Sequence, residues 1–304
     1  MAAITAAAVN ELRQATGCGL MDCKKALVEN EGDFEKAVVY LREKGLASQA
    51  KKATRVAAEG MAYATVIDGV GVIVEVNCES DFVAKNPRFT EIAKEIAQVV
   101  AKENPADVAA LLACGIEGAV NVEEYLKAQT AVIGEKIAVR RFTVYKTEGF
   151  LASYIHLGGK LGVLLDMKGA DTDAAKETAH EITLQIAFTK PAYLTEAEVS
   201  AETLEKEKEV LKQQAINEGK PEAIAEKMVM GRIKKFYEEN CLLKQAFIKD
   251  DKQTVADLLA AASKAAGSEV AINRFAFYVM GEGLEKKSED LQEEVAKQVA
   301  AMKK

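Results

Sequence analysis

Tryptophan is missing from this 304-residue chain, and histidine occurs only twice, at His156 and His180. With no cysteine near either histidine at ligand spacing, no metal centre is expected. The five cysteines, Cys18, Cys23, Cys78, Cys114 and Cys241, make an odd set without a CxxC pair. That pattern argues for free thiols in a reducing, cytoplasmic setting. No apolar run is long enough to span a bilayer. The first residues are Ala-rich but carry Glu11 and Arg13, and lack a basic leader ahead of an apolar core, so no secretory signal is expected. The phosphate-loop pattern GxxxxGK, the dinucleotide pattern GxGxxG and the GxSxG elbow are also missing. No cofactor is therefore expected. A basic excess is lacking too: 40 Lys and Arg face 47 Asp and Glu, for a net charge of −7. That sign disfavours broad, direct contact with nucleic acid.

What is present reads as a globular α+β protein, with 49% hydrophobic and 29% charged residues. The length suggests about two domains and is ample for a sizeable core.

Residues 1–46 read as a module of three short helices. Thr5 can cap the first, with Ile4 stapled against Val9. Gly17 and Gly19 turn the chain into the second, whose stripe is Leu20, Cys23 and Leu27. Gly32-Asp33 ends the second and caps the third, which packs Phe34, Ala37, Val38 and Leu41. Its size and turns resemble a ubiquitin-associated-like bundle. A basic, Ala-rich linker follows over 47–58, helical or frayed.

A first α+β subdomain is expected over 59–146. Glu59 to Asn77 reads as a hairpin, with Asp68-Gly69 as a type I′ turn signal. A helix with Phe89, Ile92, Ile96 and Val99 at helical spacing comes next, and Ile137 to Tyr145 reads as a third strand. The same order then recurs. Glu148-Gly149-Phe150 echoes Glu59-Gly60-Met61, and Gly162 to Met167 echoes Gly71 to Val76. Ile182 and Ile186 are set against Ile92 and Ile96, and Arg274-Phe275 with Tyr278 against Arg141-Phe142 with Tyr145. Two related α+β subdomains explain this better than chance. The second covers 147–194 and 240–282.

An insertion at 195–239, rich in Glu, Lys, Leu and Ile, splits that second copy. Gly219-Lys220-Pro221 interrupts it, so an antiparallel helical hairpin is expected, with Leu204, Leu211, Ile224 and Met228 as its apolar stripe. The two helices can satisfy each other, or the hairpin can serve as a dimerisation or docking arm. Residues 283–304 read as a final amphipathic helix, either packed on the body or used for docking.

The most informative stretch is Asp81-Phe82-Val83, on a strand-to-helix loop where surface placement is usual. Aligned without a gap, the second copy has Thr172 and Asp173 opposite Asp81 and Phe82. The fold therefore makes this connection without an aromatic, which favours a partner-facing Phe82 over one folded onto its own sheet.

At this point the chain resembles a known family. Thr16-Gly17-Cys18-Gly19-Leu20-Met21-Asp22-Cys23-Lys24-Lys25-Ala26-Leu27 is similar to the N-terminal signature of bacterial elongation factor Ts. Val76-Asn77-Cys78-Glu79-Ser80-Asp81-Phe82-Val83-Ala84 is similar to its second signature, where Ser80 replaces the usual threonine and keeps a hydroxyl. Tyr154-x-His156, Gly219-Lys220-Pro221 and Ala225 to Val229 with Gly231-Arg232 also resemble the family. The likeness runs through essentially the whole chain and is weakest from Lys102 to Thr130. It implies a non-enzymatic guanine-nucleotide exchange factor for the translational GTPase elongation factor Tu. It implies that Asp81 and Phe82, flanked by Ser80 and Val83, push into the GTPase and disturb its magnesium site. It further implies that Leu20, Met21 and Lys24 of the N-terminal module contact the nucleotide-binding domain, that His156 contacts another domain of the GTPase, and that the hairpin can join two copies.

Two rival readings remain at the level of sequence. The N-terminal bundle could make the chain an adaptor for ubiquitin-like or peptide partners. Cys78 beside Glu79 could be a thiol nucleophile, although a structural thiol is the plainer reading.

Overall fold

Three helices open the chain: α1 (Ala6–Thr16), α2 (Leu20–Glu29) and α3 (Phe34–Lys52). The computed structural model describes residues 4–16, 18–52 and 55–284, so the helix expected over 283–304 lies outside the described residues except for Gly283 and Leu284. Thr5 caps α1 by accepting the Ala8 amide at 3.2 Å. Gly32, at φ 86°, turns the chain, and Asp33 accepts the Lys36 amide at the start of α3. The module closes on Leu12, Cys23, Ala26, Leu27 and Ala37. Helix α3 continues to Lys52, into the stretch read as a linker, because that stretch holds good helix formers and no Gly or Pro beyond Gly45. It packs alongside a helix of the next unit, Val122–Ile133.

The first sheet has the order β1-β2-β3, all antiparallel, from β1 (Glu59–Ile67), β2 (Val70–Cys78) and β3 (Ala138–Tyr145). Asp68 and Gly69 both take positive φ, 49° and 77°, as a type I′ turn requires. Between β2 and β3 come α4 (Asp81–Ala84), α5 (Pro87–Glu103), α6 (Val108–Ala113) and α7 (Val122–Ile133). Val72, Val74 and Val76 line one face of β2 and meet Phe89, Ile92 and Ile96 of α5.

The second sheet, β4-β5-β8, repeats this plan with β4 (Phe150–His156), β5 (Leu161–Lys168) and, after the helices, β8 (Ala271–Val279). Helix α8 (Asp173–Thr189) covers it, burying Ile182 and Ile186 against Val163, Leu165 and Met167. Helices α9 (Ala201–Asn217) and α10 (Glu222–Asn240), the small hairpin β6 (Ala246–Phe247) with β7 (Asp250–Thr254), and α11 (Val255–Ala266) intervene before β8. The free faces of the two sheets meet through Ala64, Ile73, Tyr145 and Leu164.

The repeat is visible in fine detail. Both middle strands carry a bulge at the matching place, after Glu75 and after Asp166. Gly60 and Gly149 each lie so close to the neighbouring strand that a Cβ would strike a carbonyl oxygen, that of Val76 at 2.1 Å and of Met167 at 2.0 Å. Helices α5 and α8 both end in a left-handed cap, Asn104 at φ 48° and Lys190 at φ 50°.

One expectation about the repeat needs correction. Every buried position of α5 recurs as a buried position of α8 when Phe89 is matched to Ala175, Ile92 to Thr178, Ile96 to Ile182 and Val100 to Ile186. The sequence register, Ile92 with Ile182, is one helical turn out; a four-residue slip preserves the apolar stripe and so escapes notice. Glu75 and Asp166 stand 91 positions apart, while Ile96 and Ile182 stand 86 apart. The first copy thus holds five extra residues between strand and helix, the length of Asp81–Lys85. Helix α4 is an insertion, not an altered version of something the second copy also has.

The α9–α10 hairpin turns at Gly219 (φ 80°), with Pro221 in the cap position one residue ahead of α10 instead of inside its first turn. Its helices bury Ala215, Val229 and Ile233. Of the expected stripe, Leu204, Leu211 and Met228 are half-buried and Ile224 is exposed. Lys212 bridges to Glu222 and Glu226, and Arg232 to Glu218, across the pair. No helix among the described residues is long and apolar enough to cross a membrane.

Candidate functional site

Ser80 sets the site. Its extended backbone (φ −122°) and its Oγ, which accepts the Val83 amide at 3.3 Å, start α4 as an N-cap. Glu135, in the connection from α7 to β3, holds this start from across the fold. Its carboxylate accepts the Ser80 amide at 2.8 Å, the Glu79 amide at 3.1 Å and the Ser80 hydroxyl at 2.6 Å. In return the Glu79 carboxylate accepts the Lys136 amide at 2.7 Å and pairs with Arg55. Ala84 is buried, and Val83 packs half-buried on the first core.

Phe82 alone points away from all this, 84% exposed. Beside it Asp81 pairs with Lys85 at 2.6 Å. The Lys85 ammonium holds the Asp81 carboxyl below its usual range, with a smaller push from Lys160, so Asp81 is an anion at neutral pH. A four-residue helix clamped at its N-cap and anchored at its last residue thus carries one free aromatic ring and one carboxylate.

Cys78 is fully buried beneath this helix, donating from Sγ to the Ser80 carbonyl. Burial pushes its thiol up to about 12, with Glu135 and Glu59 adding to the effect. A thiol so placed stays protonated, which removes the nucleophile reading.

The second copy contributes to the same end of the molecule. Glu59, the first residue of β1, pairs in register with Cys78, and Lys160 reaches it at 2.6 Å from the β4–β5 turn. Gly159 of that turn lies against Met61. His156, the last residue of β4, places Nδ1 3.0 Å from the Tyr154 hydroxyl, and the Tyr154 ring meets His180 edge-on at 6.0 Å.

On α2 the side turned from the module's core shows Leu20, Met21 and Lys24 exposed, with Met21 at 73%, so Leu20 stands outside the buried stripe expected to join it to Cys23 and Leu27. Val28, two turns beyond Leu20, extends this strip and was missed by the sequence reading, although its spacing carries the signal. Glu135 was missed as well. Its one local sign is a carboxylate just after the Gly134 helix cap, and nothing local ties it to Ser80.

Set beside this geometry, the relatives place the chain among the elongation factors of protein synthesis. It belongs to the elongation factor Ts family, whose model matches residues 79–282. Elongation factor Ts of Clostridium perfringens (strain 13 / Type A) is 51% identical over 298 residues, covering 97% of this chain and 98% of the relative. The proteins of the same name from Symbiobacterium thermophilum and Trichlorobacter lovleyi are 47% and 44% identical, covering 98% and 97% of this chain and 99% and 98% of their own lengths.

Proposed function

We propose that this chain is a guanine-nucleotide exchange factor that promotes GDP release from elongation factor Tu during translation elongation. The observation that carries this reading is Phe82: an aromatic left in water on an inserted helix whose neighbours are all held. An apolar ring in water forgoes about 1.5–3 kcal/mol that burial would return, and a partner's pocket can supply that burial.

No bond is made or broken by this chain in such a role. The factor binds the empty GTPase better than the nucleotide-bound form, and by linkage it weakens nucleotide binding by the same ratio. Magnesium neutralises phosphate charge, so a carboxylate and a ring pressed toward the partner's magnesium ligands loosen the nucleotide. A shift of about 10⁴ needs roughly 5.5 kcal/mol of differential affinity. Phe82 supplies less than that, and the difference comes from a wider interface. Ser80 and Val83 hold the prong. Leu20, Met21 and Lys24 of the three-helix module and His156 of the second subdomain are the further contacts. The α9–α10 hairpin, with Met230 exposed at 71% and Val210 at 50%, is the arm through which a second copy docks.

The deciding experiment is release of fluorescent GDP from elongation factor Tu in stopped flow, with and without the chain. Acceleration that saturates with added factor supports the reading; an unchanged rate removes it. The adaptor reading is separated by giving the three-helix module alone, which should leave the rate unchanged.

A further inference from the structure

We infer that Leu157 is a second partner-contacting residue of the exchange site, a tip that the second half of the repeat places at the same end of the molecule as the Phe82 prong of the first. The inference rests on the exchange-factor reading and adds a residue that this reading does not contain.

Besides the inserted α9–α10 hairpin and the elements that follow it, the copies differ in length at two places that lie at one end of the molecule. The first is the insertion of α4 already described. The second is the turn between β4 and β5. Gly60 and Gly149 stand 89 positions apart, while Glu75 and Asp166 stand 91 apart, so the second copy's hairpin turn is two residues longer. The first copy closes with Asp68-Gly69, a polar tip; the second closes through Leu157-Gly158-Gly159-Lys160. Because the sheets pack face to face about the repeat, this longer turn rests on the first residues of β1. A Cβ at Gly159 would meet Met61 Cγ at 2.3 Å, and Lys160 is tied to Glu59. Glu59 pairs with Cys78, two residues before the Ser80 cap of α4.

Leu157 carries two penalties there. Its φ of 47° is left-handed, a conformation that a bulky side chain avoids, and its side chain is 73% exposed. Gly158 and Gly159 follow with φ of 64° and 95°, so three successive left-handed residues hold the tip outward. The turn cannot fold inward to cover Leu157, because Gly159 already lies against Met61 and the Met280 amide bonds to the Lys160 carbonyl. The fold does not call for a leucine there: the other copy closes its hairpin with Asp68, also left-handed at φ 49° but of a type that tolerates this backbone, and sets no apolar side chain at the tip. An apolar residue held outward at such cost, at the same end of the molecule as an apolar ring held outward by an inserted helix, fits one occupant: the apolar surface of the same GTPase.

The test uses the full chain and two substitutions that suit the backbone. Glycine takes φ 47° without strain, and asparagine tolerates it. Leu157→Gly and Leu157→Asn should therefore melt at or above the wild-type temperature. Both should slow GDP release from elongation factor Tu about tenfold at limiting factor. Stability kept or gained while exchange is lost marks a residue strained for its partner. Wild-type exchange rates in both variants would overturn the role of Leu157 and leave the exchange reading intact. Loss of stability matching the loss of exchange would make Leu157 a structural residue and also overturn the proposal. A wild-type chain without effect on GDP release would sink both readings, and it is recognised before any variant is measured.

Discussion

Arg141 sits over the ring of Tyr278, its guanidinium carbon 4.2 Å from the centroid, and Arg274 stands over Tyr145 at the same 4.2 Å. Each arginine lies on the closing strand of one subdomain and covers a tyrosine of the other. Each also bonds through Nε to a carboxylate at the bulge of its own middle strand, Arg141 to Glu75 at 2.6 Å and Arg274 to Asp166 at 2.8 Å. The two halves are thus stapled twice, which fixes the two sheets relative to each other.

The two staples are unequal, and the first should matter more. Glu75 is fully buried and also accepts from Arg140, the Gly281 amide and Asn77. Asp166 gains only Asn273. Glu75→Gln removes the charge and leaves donors facing an amide nitrogen, and breaking such a buried pair costs about 3 kcal/mol. The arginines are about a third exposed and can turn to water, which brings the expected loss nearer 2 kcal/mol. Asp166→Asn should cost about half as much. Urea denaturation of both variants checks the order.

The same carboxylate gives a pH dependence. Burial alone would raise the Glu75 pKa, but the Gly281 amide, Arg141 and Arg140 outweigh it and hold the carboxyl below its usual value. A group lowered on folding contributes stability above its unfolded pKa and loses it as pH falls through the folded value. Wild-type stability should therefore drop below about pH 4.5, an ordinary glutamate value. The Glu75→Gln variant should show a shallower drop over the same window. Melting temperatures from pH 7 to pH 3 measure the difference.

Phe82→Ala should leave the melting temperature unchanged, because the ring touches solvent over most of its surface. It should slow GDP release roughly 10- to 100-fold, the equivalent of the burial lost with the ring. Equal exchange rates for variant and wild type in stopped flow would remove the wedge from the mechanism.

The periodic features were legible in the sequence: the three-helix module, the hairpin turn at Asp68-Gly69, the alternating strands and the repeat itself. These depend on local spacing, and local spacing is what a sequence displays. The slip between α5 and α8 was not legible, since moving an amphipathic helix by one turn keeps its apolar face. With it went the recognition that Asp81–Lys85 is extra chain. The exposure of Phe82 was argued from a wrong register but in the right direction, because no alignment of the second copy offers an aromatic there. Glu135 was invisible for a different reason: it meets Ser80 only because β3 folds beside β2. The meeting of the β4–β5 turn with Glu59 likewise follows from how the sheets face each other, which no single strand encodes.

The buried thiols should be silent in the folded protein. Cys23, Cys78 and Cys241 have no exposed surface, and burial raises all three pKa values. With Cys78 near 12, roughly one molecule in 10⁴ is a thiolate at pH 8. Iodoacetamide at pH 8 followed by peptide mapping should label Cys18 and Cys114, which are half-buried, and leave Cys78 unlabelled without denaturant. Exchange activity should survive labelling, and rapid labelling of Cys78 would mean that the floor beneath α4 opens in the native state.

Glu135→Gln tests whether holding the prong matters apart from possessing it. The wild-type carboxylate takes three hydrogen bonds on two oxygens, and a glutamine offers one oxygen and turns an NH₂ toward the remaining donors. Charge-assisted bonds of this kind contribute about 1.5–3 kcal/mol each when neighbours cannot replace them, but Glu79 and Ser80 are only part-buried and water can step in. The loss of overall stability should then be about 1–2 kcal/mol. The local effect should be larger: amide hydrogen exchange at Ser80 through Lys85 should quicken while α5 stays protected. Phe82 is still present in this variant, so slower GDP release together with quicker exchange in α4 would assign the loss to positioning. Undiminished GDP release from a loosened α4 would show that the ring finds its pocket without being held, and the clamp would then belong to folding alone.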